Sequence, residues 1–238
     1  MKALIIAAGE GSRFSEITKE IPKPLLEVSG KPLIERVIAN LKNAGITEIV
    51  IVVGYLQEKI RRRLGDGDRL GVKIEYVHNR EWKKKNGISV LKTKETIAES
   101  FFLLMSDHLF DVEILKDMKK IKLAEEEIML AVDHNLSSEW IDIDDVTKVL
   151  EEQNKIVDIG KDIGRYNKFD TGIFLCTPAL FTALEKCMVN GDCSLSDGIK
   201  LLASRGKART FDIGNKFWVD VDTPKFLEKV EKRFTGKN

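Results

Sequence analysis

An apolar run at the N-terminus breaks directly into a glycine-containing loop, and this junction constrains the fold more than any other feature of the chain. Residues Leu4 to Ala8 are all apolar, which predicts a short strand buried on both faces, as in the centre of an α/β sheet. Gly9 and Gly11 follow and leave no side chain where the chain must turn sharply. Backbone N–H groups can converge there on an anion, and Ser12 can add a hydroxyl donor. The loop therefore predicts a phosphate-binding site.

Residue types separate this loop from two other phosphate loops. The dinucleotide fingerprint requires a third glycine, where this chain has Phe14, and an acidic residue after the second strand, which ends at Val53 without one. The Gly-Lys-Ser/Thr of a P-loop does not follow the glycines either. Arg13 follows them instead, and Lys23 stands ten residues later between two prolines. Two cations beside a glycine loop suit a reacting polyphosphate, whereas the competing interpretation is an ordinary turn with an exposed Arg and Lys.

Three linked segments, A-A-G-E-G-S-R, P-K-P-L-L and G-K-P-L-I-E, resemble the signature of the sugar-phosphate nucleotidylyltransferases. These enzymes join a nucleoside monophosphate from an NTP to a phosphorylated small molecule. The resemblance implies that Arg13 and Lys23 are catalytic and that Lys23 reaches the phosphates on which the reaction occurs. It also implies a nucleotide-binding set that consists of Ala7, Ala8, Gly9, Gly11, Ser12, Arg13 and Lys23.

Length and charge limit the possible partners. A chain of 238 residues is compatible with a single α/β domain over 1–238. Its net charge of +1 gives it no general electrostatic attraction to nucleic acid or to a membrane surface, so we expect small-molecule substrates. With no apolar run of membrane-spanning length and no N-terminal leader, the expected location is cytoplasmic. A homodimer is compatible with the sequence.

Apolar periodicity alternates between strand and helix along the first third of the chain. It predicts strand, helix, strand, helix and strand at residues 4–8, 33–41, 48–53, 56–64 and 72–77, and further strands at 101–105 and 128–133. Residues 146–159 alternate and turn at 152–154, which predicts a β-hairpin. We therefore expect a three-layer α/β/α Rossmann-like sandwich with a mixed, mostly parallel central sheet and an inserted hairpin. The resemblance implies the GT-A-like nucleotidyltransferase form of this fold.

The resemblance places base recognition in residues 79–91, which lead from a strand end into a predicted helix. Asn86, Gly87 and Ser89 occupy the matching stretch, where the hexose-phosphate enzymes have Q-x-x-x-G-T-A. An Asn side chain and free backbone groups can read a pyrimidine edge through hydrogen bonds. The alternative for Asn86 is an Asn-Gly turn with a helix cap.

A magnesium site is predicted from aspartates in two segments, S-D-H and W-V-D-V-D. Asp107 follows the strand at 101–105, where ligands of open α/β sheets lie, and the resemblance implies that it binds Mg2+. The alternative for Asp107 is to cap the next helix. By resemblance to a W-x-D motif, Asp220 completes the magnesium site, and Asp222 either shares the metal or caps the last helix. The three histidines are scattered along the sequence, so zinc is not expected.

The resemblance assigns acceptor binding to residues after the hairpin. Lys161 stands in I-G-K, where the hexose enzymes have E-K-P, and it is a candidate for the acceptor phosphate; the alternative is a solvated lysine. Asp170, Thr171 and Gly172 open the following strand, where small residues allow a ligand to approach.

Taken together, the motifs predict a Mg2+-dependent nucleotidylyltransferase that needs no protein nucleophile. The segments N-G-I-S, S-D-H, I-G-K, Y-N-K-F-D-T-G-I-F and W-V-D-V-D-T-P are most similar to those of archaeal and thermophile inositol-1-phosphate cytidylyltransferases. That resemblance implies CTP as donor and a phosphorylated polyol, inositol 1-phosphate, as acceptor. The alternatives are a choline-phosphate cytidylyltransferase, a hexose-1-phosphate nucleotidylyltransferase and, outside the enzymes, an inactive nucleotide-sensing homologue.

Overall fold

The structure is a computed structural model that describes residues 1–236, without the side chains of Ser15 and Glu16. The strands are β1 (Ala3–Ala7), β2 (Glu27–Val28), β3 (Lys31–Pro32), β4 (Glu48–Val53), β5 (Lys73–His78), β6 (Phe101–Met105), β7 (His108–Phe110), β8 (Ile128–Asp133), β9 (Lys148–Glu152), β10 (Lys155–Gly160), β11 (Lys168–Cys176), β12 (Ala208–Asp212) and β13 (Trp218–Asp220). The helices are α1 (Ser15–Thr18), α2 (Leu33–Asn43), α3 (Gln57–Leu64), α4 (Asn86–Leu91), α5 (Glu113–Met118), α6 (Ala179–Cys187), α7 (Leu195–Ala203) and α8 (Pro224–Thr235).

One nine-stranded sheet runs through the molecule in the order β5-β4-β1-β6-β11-β8-β12-β10-β9. The pairings β5–β4, β4–β1, β1–β6 and β8–β12 are parallel, and β10 and β11 run opposite to the other strands of the sheet. The predicted hairpin is β9–β10, whose turn residues Gln153 and Asn154 both have positive φ. The sheet is therefore mixed and mostly parallel in direction, as the sequence predicted.

Helices cover both faces of this sheet, and alternate residues of β1 show why. Ala3 and Ile5 pack into a core with α2, α3 and α5, whereas Leu4 packs into a second core with α4, α6 and α7. Successive strand residues point to opposite faces, so a strand covered on both sides must be apolar throughout. The three-layer α/β/α arrangement follows from this pattern.

The carboxyl ends of the central strands lie side by side at one edge. Ala7 of β1 pairs with Val53 of β4, and Ile6 pairs with Met105 of β6, so the glycine loop and Asp107 emerge together. A short antiparallel pair, β7–β13, places Asp220 directly opposite His108 at the same edge. Residues far apart in sequence therefore meet where open α/β sheets bind ligands.

Several predicted boundaries differ from the structure. The first strand begins and ends one residue earlier than predicted, at Ala3–Ala7. Strand β11 begins at Lys168, so Asp170 and Gly172 lie within the strand and do not open it. Strand β7 separates Asp107 from α5, whose N-cap is Val112, so Asp107 does not cap that helix. In the described part of the chain, no helix is long and apolar enough to cross a membrane.

Candidate active site

The glycine loop lies directly against the Pro-Lys-Pro turn. Gly11 has a φ of +69°, and a Cβ at this position would lie 2.8 Å from Cβ of Lys23. A larger residue would therefore have an unfavourable backbone conformation and would also push Lys23 away. Ser12 and Arg13 begin a short 3-10 turn, and both are exposed at the edge of the sheet. The sequence prediction of two cations near the loop is consistent with this packing.

Lys23 carries a buried ammonium group among three carboxylates. Its side chain is 9 % exposed, and Nζ donates hydrogen bonds to Asp107 and Asp222 and lies 3.8 Å from Oδ1 of Asp220. Burial by itself would lower the pKa of Lys23, but the three carboxylates outweigh it and hold the pKa above its ordinary value. The ammonium is therefore charged across the physiological pH range.

His108 is a buried imidazole that the sequence interpretation did not place in the site. Its Nδ1 lies 2.7 Å from the carbonyl oxygen of Thr171, and its Nε2 lies 3.3 Å from Oδ2 of Asp220. Gly172 makes room for the ring, because a Cβ there would lie 2.3 Å from Nδ1. Burial opposes the charged imidazole, but Asp220 and Asp107 raise the pKa of His108 to about 10. The imidazole is thus held between a backbone carbonyl and a site carboxylate.

Asp222 belongs to this cluster and does not cap α8. The side chain of Thr223 accepts a hydrogen bond from the backbone N–H of Phe226, so Thr223 is the cap. Oδ2 of Asp222 accepts a hydrogen bond of 2.7 Å from Nη1 of Arg13, and Oδ1 accepts one from Lys23. Of the two roles that the sequence left open for Asp222, the capping role is wrong.

Asp145 links the two sides of the site. Its Oδ2 accepts a hydrogen bond from Arg13, and its Oδ1 accepts one of 2.5 Å from Nζ of Lys161. Asp145 lies just before β9, and Lys161 lies just after β10. The two ends of the hairpin thus meet beside Arg13.

Two groups of side chains could hold a metal ion. Asp107, His108 and Asp220 form one, Asp145, Asp220 and Asp222 form the other, and within each the ligand atoms lie within 4.8 Å of one another. Oδ1 of Asp220 is buried and has no hydrogen-bond partner, which is unfavourable for a carboxylate unless a cation approaches it. Carboxylate oxygens are the ligands that a hard ion such as Mg2+ prefers. The residues therefore fit a divalent metal.

Two adjoining cavities open at this edge of the sheet. The loop pocket, about 360 Å³, is lined by residues that include Gly9, Gly11, Ser12, Lys23, Trp82 and Ser89. The hairpin pocket, about 250 Å³, is lined by residues that include Asp142, Asp145, Lys161, Asp170, Ser196 and Trp218. They meet at shared lining residues, namely Arg13, Asn86, Met105, Asp107 and Asp222. Two ligands could therefore contact each other across this junction.

The residues predicted to read the base are partly used by the protein itself. Oδ1 of Asn86 accepts a hydrogen bond of 2.8 Å from the backbone N–H of Leu195, the first residue of α7. Asn86 does not cap its own helix, whose N-cap is Lys85. The helix cap that was the alternative for Asn86 is therefore wrong, and Asn86 lines both pockets.

Gly87 and Ser89 also have structural partners. A Cβ on Gly87 would lie 2.6 Å from the carbonyl oxygen of Cys193, so this glycine allows α4 to approach the segment before α7 closely. Oγ of Ser89 accepts a hydrogen bond of 3.0 Å from Asn79. Ser89 lines the loop pocket, whereas Gly87 is buried and lines neither of the two pockets.

The residues predicted to bind the acceptor separate into two groups. Asp170 and Gly172 line the hairpin pocket, together with Lys161. The side chain of Thr171 is fully buried and donates to the carbonyl oxygen of Ala131, so it faces the core and its prediction as a pocket residue is wrong. In the nucleotide loop, Ala8 is likewise buried in the core, although Ala7 lines the loop pocket. Burial raises the pKa of Asp170 to about 6.

Comparison with known proteins identifies the family. A family model described as nucleotidyl transferase matches residues 2–236, which is nearly the whole chain. The chain belongs to the nucleotidyl transferase family. It is 33 % identical over 233 residues to a "Bifunctional IPC transferase and DIPP synthase" of Aquifex aeolicus, an alignment that covers 97 % of this chain and 51 % of that protein.

Two further relatives match along almost their full length. The chain is 30 % identical over 245 residues to the UTP-glucose-1-phosphate uridylyltransferase AglF of Haloferax volcanii, covering 98 % of this chain and 96 % of that protein. The solved structure of the inositol-1-phosphate CTP transferase from T. maritima superimposes with a TM-score of 0.81 at 30 % identity, covering 97 % and 96 % of the two chains. The chain spans about half the length of the bifunctional relatives that it matches. The predicted fold and family are confirmed.

For this nucleotidyl transferase, sequence reasoning missed Asp145, His108 and Trp82. His108 is adjacent to Asp107 in S-D-H and is directly opposite Asp220 in the β7–β13 pair, but scattered spacing alone does not reveal that pairing. Trp82 lines the loop pocket and lies 5.3 Å from the ring of Tyr55, centroid to centroid. An aromatic residue inside the predicted base segment, residues 79–91, was a usable signal, because aromatic side chains stack on nucleobases.

Proposed function

We propose that this nucleotidyl transferase condenses CTP with inositol 1-phosphate, giving CDP-inositol and pyrophosphate. The observation that carries the proposal is the junction of the two pockets, where Arg13, Asp107 and Asp222 face both cavities. The triphosphate binds the glycine loop, and the acceptor phosphate enters the hairpin pocket beside Lys161. A transfer reaction requires two anions to be aligned, and each pocket has its own lysine for this, Lys23 in the loop pocket and Lys161 in the hairpin pocket.

The reaction is an in-line displacement without a protein nucleophile. An oxygen of the acceptor phosphate forms a bond to the α-phosphorus of CTP, and the bond from that phosphorus to the leaving pyrophosphate breaks. Arg13 and Lys23 supply positive charge where negative charge accumulates. Asp107, Asp220 and Asp222 would hold Mg2+, which when bound neutralises phosphate charge. The remaining work of the protein is to orient the two substrates and restrict water.

The lining of the hairpin pocket favours a polyol as acceptor. Asp142, Asp145 and Asp170 offer carboxylate oxygens, and Thr147 and Ser196 offer hydroxyl groups, all of which form hydrogen bonds with ring hydroxyls. A quaternary ammonium such as choline is usually held by several aromatic rings. Among the described residues that line this pocket, Trp218 is the single Phe, Tyr or Trp. The similarity to the T. maritima inositol-1-phosphate CTP transferase supports the same acceptor.

A second candidate is the uridylyl transfer to glucose 1-phosphate that the name of the Haloferax volcanii relative describes. That relative is 30 % identical to this chain, the same value as for the T. maritima structure, over 98 % of this chain and 96 % of the relative. A hexose phosphate also presents several hydroxyls to the carboxylates of the hairpin pocket. The two candidates differ in the base of the donor and in the shape of the acceptor ring.

A matrix of substrates tests the proposal. The four NTPs are combined with inositol 1-phosphate, glucose 1-phosphate and phosphocholine, and pyrophosphate release is measured with Mg2+ or with EDTA. We expect the highest kcat/KM for CTP with inositol 1-phosphate, and no release in EDTA. Equal or faster turnover of glucose 1-phosphate with UTP, or of phosphocholine with CTP, contradicts the inositol assignment. The Asp107→Asn variant serves as the inactive control, and no release with any pair would favour the nucleotide-sensing alternative.

A further inference from the structure

The ammonium of Lys23 lies among carboxylates that could hold a divalent cation. Nζ contacts Asp107 and Asp222 by hydrogen bonds and lies 3.8 Å from the buried, unpartnered Oδ1 of Asp220. Each of these carboxylates belongs to one of the two groups that could hold a metal ion, and Asp220 belongs to both. One ammonium therefore neutralises part of a cluster that carries three negative charges.

The backbone of Lys23 is held in place by the turn around it and by neighbouring residues. It lies in a 3-10 turn, Lys23–Leu25, with Pro22 before it and Pro24 within it. Gly11 packs against its Cβ, and its Nζ lies 6.0 Å from the ring centroid of Phe14. The backbone of the turn is thus fixed, and the four-carbon stem of the side chain is the part that can move.

The other partners of Asp220 and Asp222 occupy only one oxygen of each carboxylate. Oδ2 of Asp222 is held by Arg13, and Oδ2 of Asp220 lies beside Nε2 of His108. The remaining oxygens, which point toward Lys23, are the ones open to a cation. An ammonium and a divalent ion compete for these oxygens, because the two cations repel each other. Binding of one therefore weakens binding of the other.

We propose that Lys23 is a built-in counterion that fills the metal position in the nucleotide-free protein and moves to the phosphates when a nucleotide binds. The inference rests on the proposed binding of a nucleoside triphosphate at the glycine loop. Phosphate oxygens compete with Asp107 and Asp222 for the ammonium, and its departure frees the carboxylates for the metal. Metal and nucleotide therefore bind cooperatively, and by linkage each increases the affinity for the other.

Mn2+ is a suitable probe because it prefers the same oxygen ligands as Mg2+ and its free form is counted by electron paramagnetic resonance. In wild-type protein without nucleotide, we expect weak Mn2+ binding. The Lys23→Met variant, which removes the ammonium and keeps much of the apolar stem, should bind Mn2+ about tenfold or more tightly under the same conditions. Adding Asp107→Asn to Lys23→Met should abolish this gain, because it removes one of the freed ligands. A Lys23→Met affinity equal to that of wild type overturns the inference.

Lys168→Met is the matched control. Lys168 has a side chain that is 16 % exposed and pairs with Asp212 and Glu151, outside the candidate site. Lys168→Met should leave the affinity for Mn2+ unchanged. If Lys168→Met gained as much Mn2+ affinity as Lys23→Met, the gain would follow from the loss of any lysine and not from the position of Lys23. The nucleotide-free comparison does not depend on which NTP is the donor, so it stands if the proposed function fails.

Wild-type protein provides a second measurement that needs no variant. The protein is titrated with Mn2+ in the presence of each NTP and of tripolyphosphate, and the Mn2+ that each polyphosphate binds without protein is subtracted. The affinity of the protein for Mn2+ should rise about tenfold or more with a polyphosphate that binds the glycine loop. Mn2+ affinity that no NTP or tripolyphosphate increases would overturn the coupling. Such a result would overturn the inference even if Lys23→Met does not fold, which circular dichroism would reveal.

Discussion

Nζ of Lys161 lies 2.5 Å from Oδ1 of Asp145, so the lysine of I-G-K is paired with an acid from the opposite end of the hairpin. The hexose enzymes that the sequence resembles have an acid directly before this lysine in E-K-P, where this chain has Gly160. Lys148 pairs with Gly160 in the register of β9 and β10, so residues just before β9 face residues just after β10. The acid beside the lysine is thus present, but it reaches Lys161 across the hairpin.

Asp145→Asn should weaken acceptor binding more than it slows the chemical step. The carboxylate orients Lys161 and can accept hydrogen bonds from acceptor hydroxyls, and a hydrogen bond to a charged group contributes about 1.5–3 kcal/mol. We therefore expect KM for the acceptor to rise about tenfold or more. Asp144→Asn is the control, because Asp144 is exposed and does not line the pocket. A KM for the acceptor that is the same in both variants contradicts this role.

Most of the fold followed from local patterns. The strands at 48–53, 101–105 and 128–133 were predicted with their observed bounds, because runs covered on both faces must be apolar from end to end. The strand at 72–77 is shifted by one residue, to Lys73–His78, where charged residues at the surface blur the pattern. Strand β7 was not predicted, because three residues are too few to show a period.

The site could be predicted where topology alone brings residues together. Parallel strands end at one edge, which placed Asp107 near the glycine loop. The contacts of Arg13 with Asp145 and of Lys23 with Asp107 span 132 and 84 residues, and no local spacing encodes them. Counting the register of the predicted hairpin outward from its turn does not locate Asp145 either, because the pairing shifts between Ile156 and Asp158. Thr171 was misplaced because alternation was not applied inside the strand.

The neighbours Asp222 and Thr223 should respond to substitution in opposite ways. Thr223→Ala removes the N-cap of α8 and should lower the free energy of unfolding by about 1 kcal/mol, with little effect on kcat. Asp222→Asn keeps the cap but removes a charged partner of both Lys23 and Arg13, so it should reduce turnover as severely as Asp220→Asn. Steady-state kinetics and urea unfolding of both variants test this. An active Asp222→Asn enzyme with lowered stability would restore the capping role.

His108 should orient Asp220 for metal binding and so affect the affinity of the site for Mg2+. Its Nε2 is placed against Asp220 while its Nδ1 bonds to the carbonyl of Thr171, and a partner that orients a ligand in this way typically changes metal affinity about 10–100-fold when it is lost. We expect His108→Ala to raise the Mg2+ concentration for half-maximal activity by about that factor, and His108→Gln to restore part of the affinity because an amide can still donate to Asp220. A purely structural role would lower stability in both variants and leave the Mg2+ requirement unchanged.

Asp170 should make the protein less stable as pH rises through the weakly acidic range. Burial raises its pKa to about 6, with Asp220 adding to the effect and His108 opposing it. The folded protein therefore retains this proton at pH values where the unfolded chain, with an ordinary pKa near 4, has released it. The stabilisation from protonated Asp170 is fully present below about pH 4, falls between about pH 4 and 6, and is absent above. A rise in the pKa of Asp170 from about 4 to about 6 changes the free energy of unfolding by about 3 kcal/mol at most.

Asp170→Asn should remove this slope, because an amide does not titrate and its oxygen can still accept from the backbone N–H of Gly172. Urea unfolding at several pH values between 4 and 7 should show the variant gaining stability relative to wild type as pH rises, while activity falls because Asp170 lines the hairpin pocket. Asp212→Asn is a control that should have the opposite effect on stability. Lys168 and His134 outweigh the burial of Asp212 and lower its pKa to about 2, so this carboxylate stabilises the protein at pH 7 and its removal should destabilise it there. Parallel stability profiles for wild type and Asp170→Asn from pH 4 to 7 would show that the Asp170 carboxyl is not protonated preferentially in the folded protein.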